Sequence, residues 1–266
     1  MKFSFKIIIL ILILIIPAGS YFGCAKNSKR ILSNPIEVID KNGVERNYNL
    51  HLPEKSGGDL PMLVYFHGVR SQEFKNKPVL KGYTGSPLEE TGLIPFCRMN
   101  GVALLEILPS YSYKFLDVKA YGWSPFEKEI DGIEKCIDLV VENFNIDSGN
   151  VFLAGISAGA VLSHHLANRR PGKYKAILSH SQAYISENNE ILSPVIYGKK
   201  FGVVFCYTKG DYDNLKEFCE ESYSVYKKNG YNPVILRDLP PLSHKWSNST
   251  NGRFWRSLQR AGGNSD

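Results

Sequence analysis

The sequence predicts an α/β protein, a three-layer α/β/α sandwich whose sheet is mainly parallel but begins with antiparallel strands. Short apolar runs alternate with amphipathic helical stretches from about residue 60 onward. Ahead of them, Lys41-Asn42-Gly43 joins two extended runs in "NPIEVIDKNGVERNYNLHLP", and Asn-Gly is the strongest short hairpin signal. The third observation is "VFLAGISAGAVLSHHLA", residues 151 to 167, where a β-branched apolar run gives way to a helix former through Gly155-Ile156-Ser157-Ala158-Gly159.

The 266 residues, 43% hydrophobic and 22% charged, suffice for one domain with a sizeable core. The formal charge of +6 is mild, and no arginine-rich helix or basic run interleaved with aromatics is present. Nucleic acid is therefore not an expected partner. At the N-terminus, Lys2 and Lys6 precede the unbroken apolar run Ile7 to Ile16, which ends at Pro17. This is the pattern of a secretory signal over residues 1–23, too short to span a bilayer, which takes about twenty apolar residues. Two processing routes stay open. Ala18-Gly19-Ser20 fits ordinary signal cleavage, whereas Gly23-Cys24 resembles the end of a bacterial lipobox, in which Cys24 carries lipid and tethers the chain to a membrane. The organisation expected is thus a signal at 1–23, a linker at 24–35 and one folded domain at 36–262, secreted or held at the cell envelope by lipid on Cys24 or by an uncleaved N-terminal segment.

The strands expected in order are Met62 to Phe66, Val102 to Leu108, Val151 to Ala154, Lys175 to Ser179, Gly202 to Tyr207 and Pro233 to Asp238. Before the third of these, Ile130, Ile133, Ile137, Val140, Val141 and Phe144 recur every three or four residues, which is the core-facing stripe of a helix. A second stripe, Leu215, Phe218, Cys219 and Tyr226, predicts a helix packing the far side. Ala158 to Asn168 predicts the helix that follows Ser157. Cys97, Cys136, Cys206 and Cys219 are widely spaced, without a Cys-x-x-Cys or histidines at ligand spacing, so no zinc site is expected; export would permit disulfides, but Cys206 in a strand and Cys136 and Cys219 on helix faces have apolar neighbours, and no pairing is assigned.

In such sheets the ligand crevice lies beyond the carboxyl ends of the strands, so the residues just after each run carry the chemistry. Those residues are His67-Gly68-Val69, Ser157, His180-Ser181, Asp211 and His244. Serine at a strand-to-helix turn between glycines is a nucleophile elbow: larger side chains at Gly155 and Gly159 would collide with the neighbouring strand and helix. A serine needs a base held in one tautomer by a carboxylate. Of six histidines, His164 and His165 ride on the helix leaving Ser157, where surface or packing roles suit them; His51 precedes the main sheet, and His67 sits in a turn with a backbone role. His244, in "LPPLSHKW" after the last strand, is the expected base. "VVFCYTKGDYDN" offers Asp211 and Asp213 as the acid. Asp211 is preferred, being nearer the strand end, while Asp213 precedes a helix where an N-cap role is natural. The oxyanion donors expected are the backbone N–H groups of Ala158 and Val69. Arg70, Ser71 and Gln72 follow as loop residues near the pocket.

"LPMLVYFHG", "IDSGNVFLAGISAGA", the strand-end Asp211 and "SHKW" together resemble the α/β-hydrolase superfamily over about residues 36 to 258, and within it the secreted esterases grouped with polyhydroxybutyrate depolymerases and feruloyl esterases. The chain departs from that group at Ala160, where a second glycine is usual, and at Val69, where many carry cysteine. The resemblance implies carboxylic-ester hydrolysis by a serine enzyme with no metal or organic cofactor, acting on a small-molecule or polymeric ester. Only about twenty residues separate the run ending at Ser179 from that starting at Gly202, too few for a large helical lid. Short-chain, polyester or sugar- and aryl-linked esters are the expected substrates. Trp123, His180 and Trp246 are expected to line the substrate site, with Tyr111, Tyr113 and Tyr121 in loops nearby. A serine peptidase on the same fold and a non-catalytic cell-surface binding protein are the alternatives.

Overall fold

A computed structural model describes residues 31–54, 58–70, 85–115, 118–123, 126–240 and 242–263. The signal at 1–23, Cys24, Ser71 and Gln72 lie outside the described residues. In chain order the elements are β1 (Ile31–Ser33), β2 (Tyr48–His51), β3 (Leu60–Phe66), α1 (Leu88–Thr91), α2 (Leu93–Met99), β4 (Ala103–Ile107), β5 (Ser112–Phe115), β6 (Val118–Tyr121), α3 (Phe126–Asn143), β7 (Ile146–Ile156), α4 (Ala158–Arg169), β8 (Ala176–His180), β9 (Gly202–Thr208), α5 (Asp213–Lys228), β10 (Val234–Leu239) and α6 (Asn251–Gly263).

Eight strands form one sheet in the order β1-β2-β4-β3-β7-β8-β9-β10. β1 with β2 and β2 with β4 are antiparallel; from β4 across to β10 every pairing is parallel. The register brings Ile156 opposite His180 and His180 opposite Cys206. The residues that follow β3, β7, β8 and β9 therefore meet at one rim.

β3 shows why the sheet is covered on both faces. Met62, Val64 and Phe66 enter one core with Ile133 and Ile137 of α3, Leu162 and Leu166 of α4 and Tyr226 of α5. Leu63 and Tyr65, pointing the other way, pack with Leu93 and Cys97 of α2 and Trp255 and Leu258 of α6. Each fully buried aliphatic side chain in these layers contributes about 1.5–3 kcal/mol.

Three expectations change. The stripe on α5 lies on the same face as α3 and α4, because Tyr226 shares their core; the far face belongs to α1, α2 and α6. The segment expected as linker, 24–35, ends in β1, which pairs with β2 from Ile31↔His51 to Ser33↔Asn49 and extends the sheet by an edge strand. The Lys41-Asn42-Gly43 turn is present, closed by Asp40 N–H to Val44 O (2.9 Å) and Arg46 N–H to Val38 O (2.8 Å), but its local pairing is the single bridge Ile39↔Glu45. Beneath it the buried guanidinium of Arg46 lies between Glu129 of α3 and Asp40 (3.2 Å). Burial pulls the pKa of Arg46 down, and its two carboxylate partners keep it charged.

Candidate active site

Ser157 joins β7 to α4 with φ 56° and ψ −125°, a conformation that L residues other than glycine occupy only under strain. What holds it there is local. Its N–H donates to His180 O (2.9 Å), and its own carbonyl accepts the N–H groups of Ala160 (2.9 Å) and Val161 (3.2 Å). A Cβ on Gly155 would collide with the Gly159 carbonyl, and one on Gly159 with the Phe66 carbonyl of β3. The two glycines therefore let α4 rise directly from the sheet, as the spacing requires.

Past β9, Asp211 Oδ1 accepts a hydrogen bond from His244 Nδ1 at 2.8 Å, and both residues are buried, His244 with only 6% exposed. Burial drives the Asp211 carboxyl pKa up, but the bond and charge of His244, then Ser181 and His180, more than reverse this and leave it lowered. Asp211 is thus held as a carboxylate. Asp213 is placed differently: it is the first residue of α5, its side chain is 91% exposed, and it pairs with Lys216 at 3.0 Å. The N-cap is Tyr212, so Asp213 serves the helix through its charge in the first turn instead of by capping.

The loop carrying His244 is pinned at both ends. Thr208, the last residue of β9, donates its hydroxyl to Leu242 O (2.6 Å), and Asp211 N–H returns to Thr208 O (3.2 Å). Downstream, Trp246 N–H reaches Ser86 Oγ (3.1 Å) and Trp246 Nε1–H reaches Asn251 Oδ1 (2.8 Å). Thr208 and Ser86 were not singled out from the sequence. A threonine closing an apolar run is a faint signal, and a serine 160 residues from its partner gives none.

Ala158 opens α4, so its N–H is among those with no intrahelical partner. Val69 lies between two tethered neighbours: Gly68 N–H donates to Gly85 O (2.8 Å), while Arg70 exchanges both backbone bonds with Tyr121 (2.8 and 2.7 Å). The β5–β6 hairpin therefore fixes the chain at Arg70, just past Val69.

Trp123, His180 and Trp246, expected against substrate, are instead buried supports. Trp123 is fully enclosed, packs on Phe66 and donates Nε1–H to the carbonyl of His67 (2.7 Å). His180 is fully buried and stacks on Trp246, their ring centroids 5.5 Å apart. Tyr111 donates its hydroxyl to Asp40 Oδ2 (3.2 Å), whereas Tyr121 is exposed. The aromatic ring that does flank the imidazole is Tyr212, 51% exposed, with its centroid 5.8 Å from that of His244. His164 packs between α4 and the sheet, bonded to Tyr226 OH at 2.8 Å, as its helix position implied. His67 is buried, with a pKa pulled down to about 4 by loss of solvent. Cys97, Cys136, Cys206 and Cys219 are free and buried. Among the described residues no group of His, Cys, Asp and Glu gathers as a metal site, and no helix is long and apolar enough to cross a membrane.

A mostly parallel eight-stranded sheet with a serine elbow after its fifth strand in sheet order, and an acid–histidine pair beyond its later strands, defines an α/β-hydrolase. Solved structures share the fold at low identity. An S-formylglutathione hydrolase from Staphylococcus aureus is 13% identical, with 87% of this chain and 98% of that one covered and a TM-score of 0.58. A ferulic acid esterase from Anaeromyces mucronatus is 16% identical over 88% and 91%, with a TM-score of 0.57. A putative dipeptidyl aminopeptidase IV from Bacteroides ovatus is 13% identical over 90% of this chain but 36% of its own, with a TM-score of 0.61. No curated protein matches the sequence. The profile of the phospholipase/carboxylesterase family matches residues 119–253, just over half of the chain. The chain belongs to that family and is a carboxylic-ester hydrolase of the serine type.

Proposed function

We propose that Ser157 is the nucleophile, His244 the general base and Asp211 the acid that orients it. The observation that carries this is the buried 2.8 Å bond from His244 Nδ1 to Asp211 Oδ1, beyond the same edge of the sheet as a serine on a strained elbow. With Nδ1–H committed to Asp211, the proton of the neutral ring is on that nitrogen, and Nε2 is the one that accepts the serine proton. Ser157 Oγ then adds to the ester carbonyl, His244 passes the proton to the departing alcohol, and water resolves the acyl-enzyme by the same route in reverse. The backbone N–H groups of Ala158 and Val69 receive the oxyanion, each such donor being worth about 3 kcal/mol in the transition state.

The substrates proposed are short-chain, polyester or sugar- and aryl-linked esters. The connection from β8 to β9 supports this: residues 181–201 form irregular chain with one bridge, Ile185↔Ile191, and no helix. The exposed Tyr212 ring beside His244 supplies an aromatic surface where the alcohol leaves. The charged, apolar and small-residue order of the N-terminus supports secretion or tethering at the cell envelope, with lipid on Cys24 as one route.

A panel of p-nitrophenyl acetate, p-nitrophenyl butyrate, methyl ferulate and a dipeptide p-nitroanilide tests the reading. Turnover of esters by the wild type and none by a folded Ser157→Ala variant is expected. Cleavage of the anilide alone would move the protein to the peptidases, and no turnover with no fluorophosphonate label would leave a binding protein.

A further inference from the structure

The connection from β8 to β9 ends in a feature that ester hydrolysis does not use. Ile196 and Tyr197 stand side by side in solvent, 71% and 67% exposed. Among the described residues no other two consecutive large apolar side chains are exposed. One apolar side chain in solvent is ordinary, whereas an adjoining pair on a fixed stem points to a surface that covers it. The stem is fixed on both sides. Val195 N–H donates to Asn168 Oδ1 near the end of α4 (2.9 Å), and Val195 O accepts the Tyr231 hydroxyl (2.8 Å). Beyond the pair, Gly198 turns at φ 75° against the ring of Pro171, and Lys200 Nζ reaches Gly230 O (2.6 Å).

Charge gathers around this tip. The three segments that these contacts bring together, residues 170–176, 191–202 and 223–233, hold seven Lys or Arg and no Asp or Glu. From α3, Asp138 takes up two of the seven, Arg170 (3.1 Å) and Lys173 (2.7 Å), and Glu134 stands 3.9 Å from Arg170. Lys199, Lys227 and Lys228 are exposed and Lys200 is half-buried. An apolar tip in a basic collar suits an anionic lipid surface. The isoleucine and the phenol ring enter the boundary between headgroups and acyl chains, and the ammonium groups stay among the phosphates.

The place of the tip in the fold agrees with that partner. The three segments lead into β8, β9 and β10, so the collar lies at the amino ends of the parallel strands, the edge away from Ser157 and His244. β1 is antiparallel to β2 and β2 to β4, so Ile31 also enters the sheet at that edge. Cys24 precedes Ile31 by seven residues, at most about 25 Å of chain, and Lys26, Lys29 and Arg30 lie in that stretch. An anchor at or before Cys24 thus draws the collared edge to the membrane. Such a tether raises the local concentration of lipid for a surface too small to hold by itself.

We infer that Ile196 and Tyr197, with Lys199, Lys200, Lys227 and Lys228, form a docking surface for an anionic phospholipid membrane, on which the domain sits with its catalytic edge turned away. For the anchor this rests on the envelope reading of the N-terminus; the surface itself stands on the folded domain. Esters then reach Ser157 from the aqueous side, and not from the bilayer beneath.

Hydroxyl-radical footprinting of the full chain, read by peptide mass spectrometry, tests this on vesicles of phosphatidylcholine alone and of phosphatidylcholine with three parts in ten phosphatidylglycerol. Oxidation of Ile196 and Tyr197 should fall at least about fivefold on the anionic vesicles in 0.1 M salt, stay near the lipid-free rate on phosphatidylcholine, and return to that rate in 0.5 M salt. Lys227→Gln with Lys228→Gln should lower the docked-to-free ratio by about 25-fold, about fivefold for each lysine, with turnover of p-nitrophenyl acetate unchanged. Equal oxidation on the two kinds of vesicle would overturn the inference, as would shielding that the lysine variant or salt leaves intact. Shielding without lipid that grows with protein concentration would also overturn it, by making the face an interface between copies of the chain. Flotation in the same samples separates the two readings: a chain that floats with phosphatidylcholine but keeps its tip exposed on anionic vesicles is anchored without docking. A chain that floats only with the anionic vesicles, its tip shielded, docks without the anchor.

Discussion

Asp211 and Asp213 stand two residues apart, and the structure predicts opposite fates for their amides. In Asp211→Asn the loss has two parts. The imidazolium formed during turnover no longer faces a negative charge across a 2.8 Å bond in a buried pair. At an effective dielectric of about 20 and a charge separation of about 4 Å, that attraction is about 4 kcal/mol, or three decades in rate. The second part is the tautomer. A carboxamide can donate to Nδ1 and push the proton to the nitrogen that must accept from Ser157, so the total loss approaches about 10⁴-fold in kcat. Asp213→Asn removes only an exposed pair with Lys216, worth at most about 1 kcal/mol of stability, and should change kcat less than about twofold. Stopped-flow or plate-based hydrolysis of p-nitrophenyl acetate by both variants, with melting temperatures to verify folding, decides it. A greater loss in Asp213→Asn, or an Asp211→Asn enzyme within tenfold of wild type, would refute the reasoning.

Arg46→Ala strands Glu129 and Asp40 beside a buried hole and should cost about 3–5 kcal/mol in urea unfolding, with activity per folded molecule preserved. Gly159→Ala drives a methyl into the Phe66 carbonyl, and should lower the melting temperature by several degrees and abolish most ester turnover by displacing the elbow. Acid should unfold the protein early. His67 and His180 have folded pKa values of about 4 and about 3, below the ordinary 6.5, so their contribution is complete above about pH 6.5 and is lost as pH falls toward those values. At pH 4.5 this costs roughly 2–3 kcal/mol for each ring, only partly offset by Glu106 and Glu134, whose raised pKa values work in the opposite sense. Thermal melts between pH 7.5 and 4.5 should show that decline, and a flat profile would contradict it.

The parallel strands were legible because each is an apolar run flanked by turn residues, and β7 and α4 because the glycines at 155 and 159 admit only one geometry. The place of Asp211 just past β9 was legible from its distance to the end of the apolar run, and its pairing with His244 is seen only in three dimensions. The β5–β6 hairpin was not: its four-residue strands show no clear alternation, and it is tied to the sheet side through Arg70, fifty residues away. Trp123 and Trp246 were expected at the mouth of the site because loops run on the surface. Their indole N–H groups instead find His67 O and Asn251 Oδ1, partners visible only in three dimensions, and so the rings turn inward. β1 was concealed by polar neighbours, which an edge strand tolerates.

Peptide-resolved mass spectrometry of the wild-type protein after reaction with a fluorophosphonate tests the central claim most directly. The account predicts one stoichiometric adduct, on Ser157, formed in the native protein and absent after acid unfolding. An adduct on any other side chain, or none on folded protein that still hydrolyses esters, would contradict it.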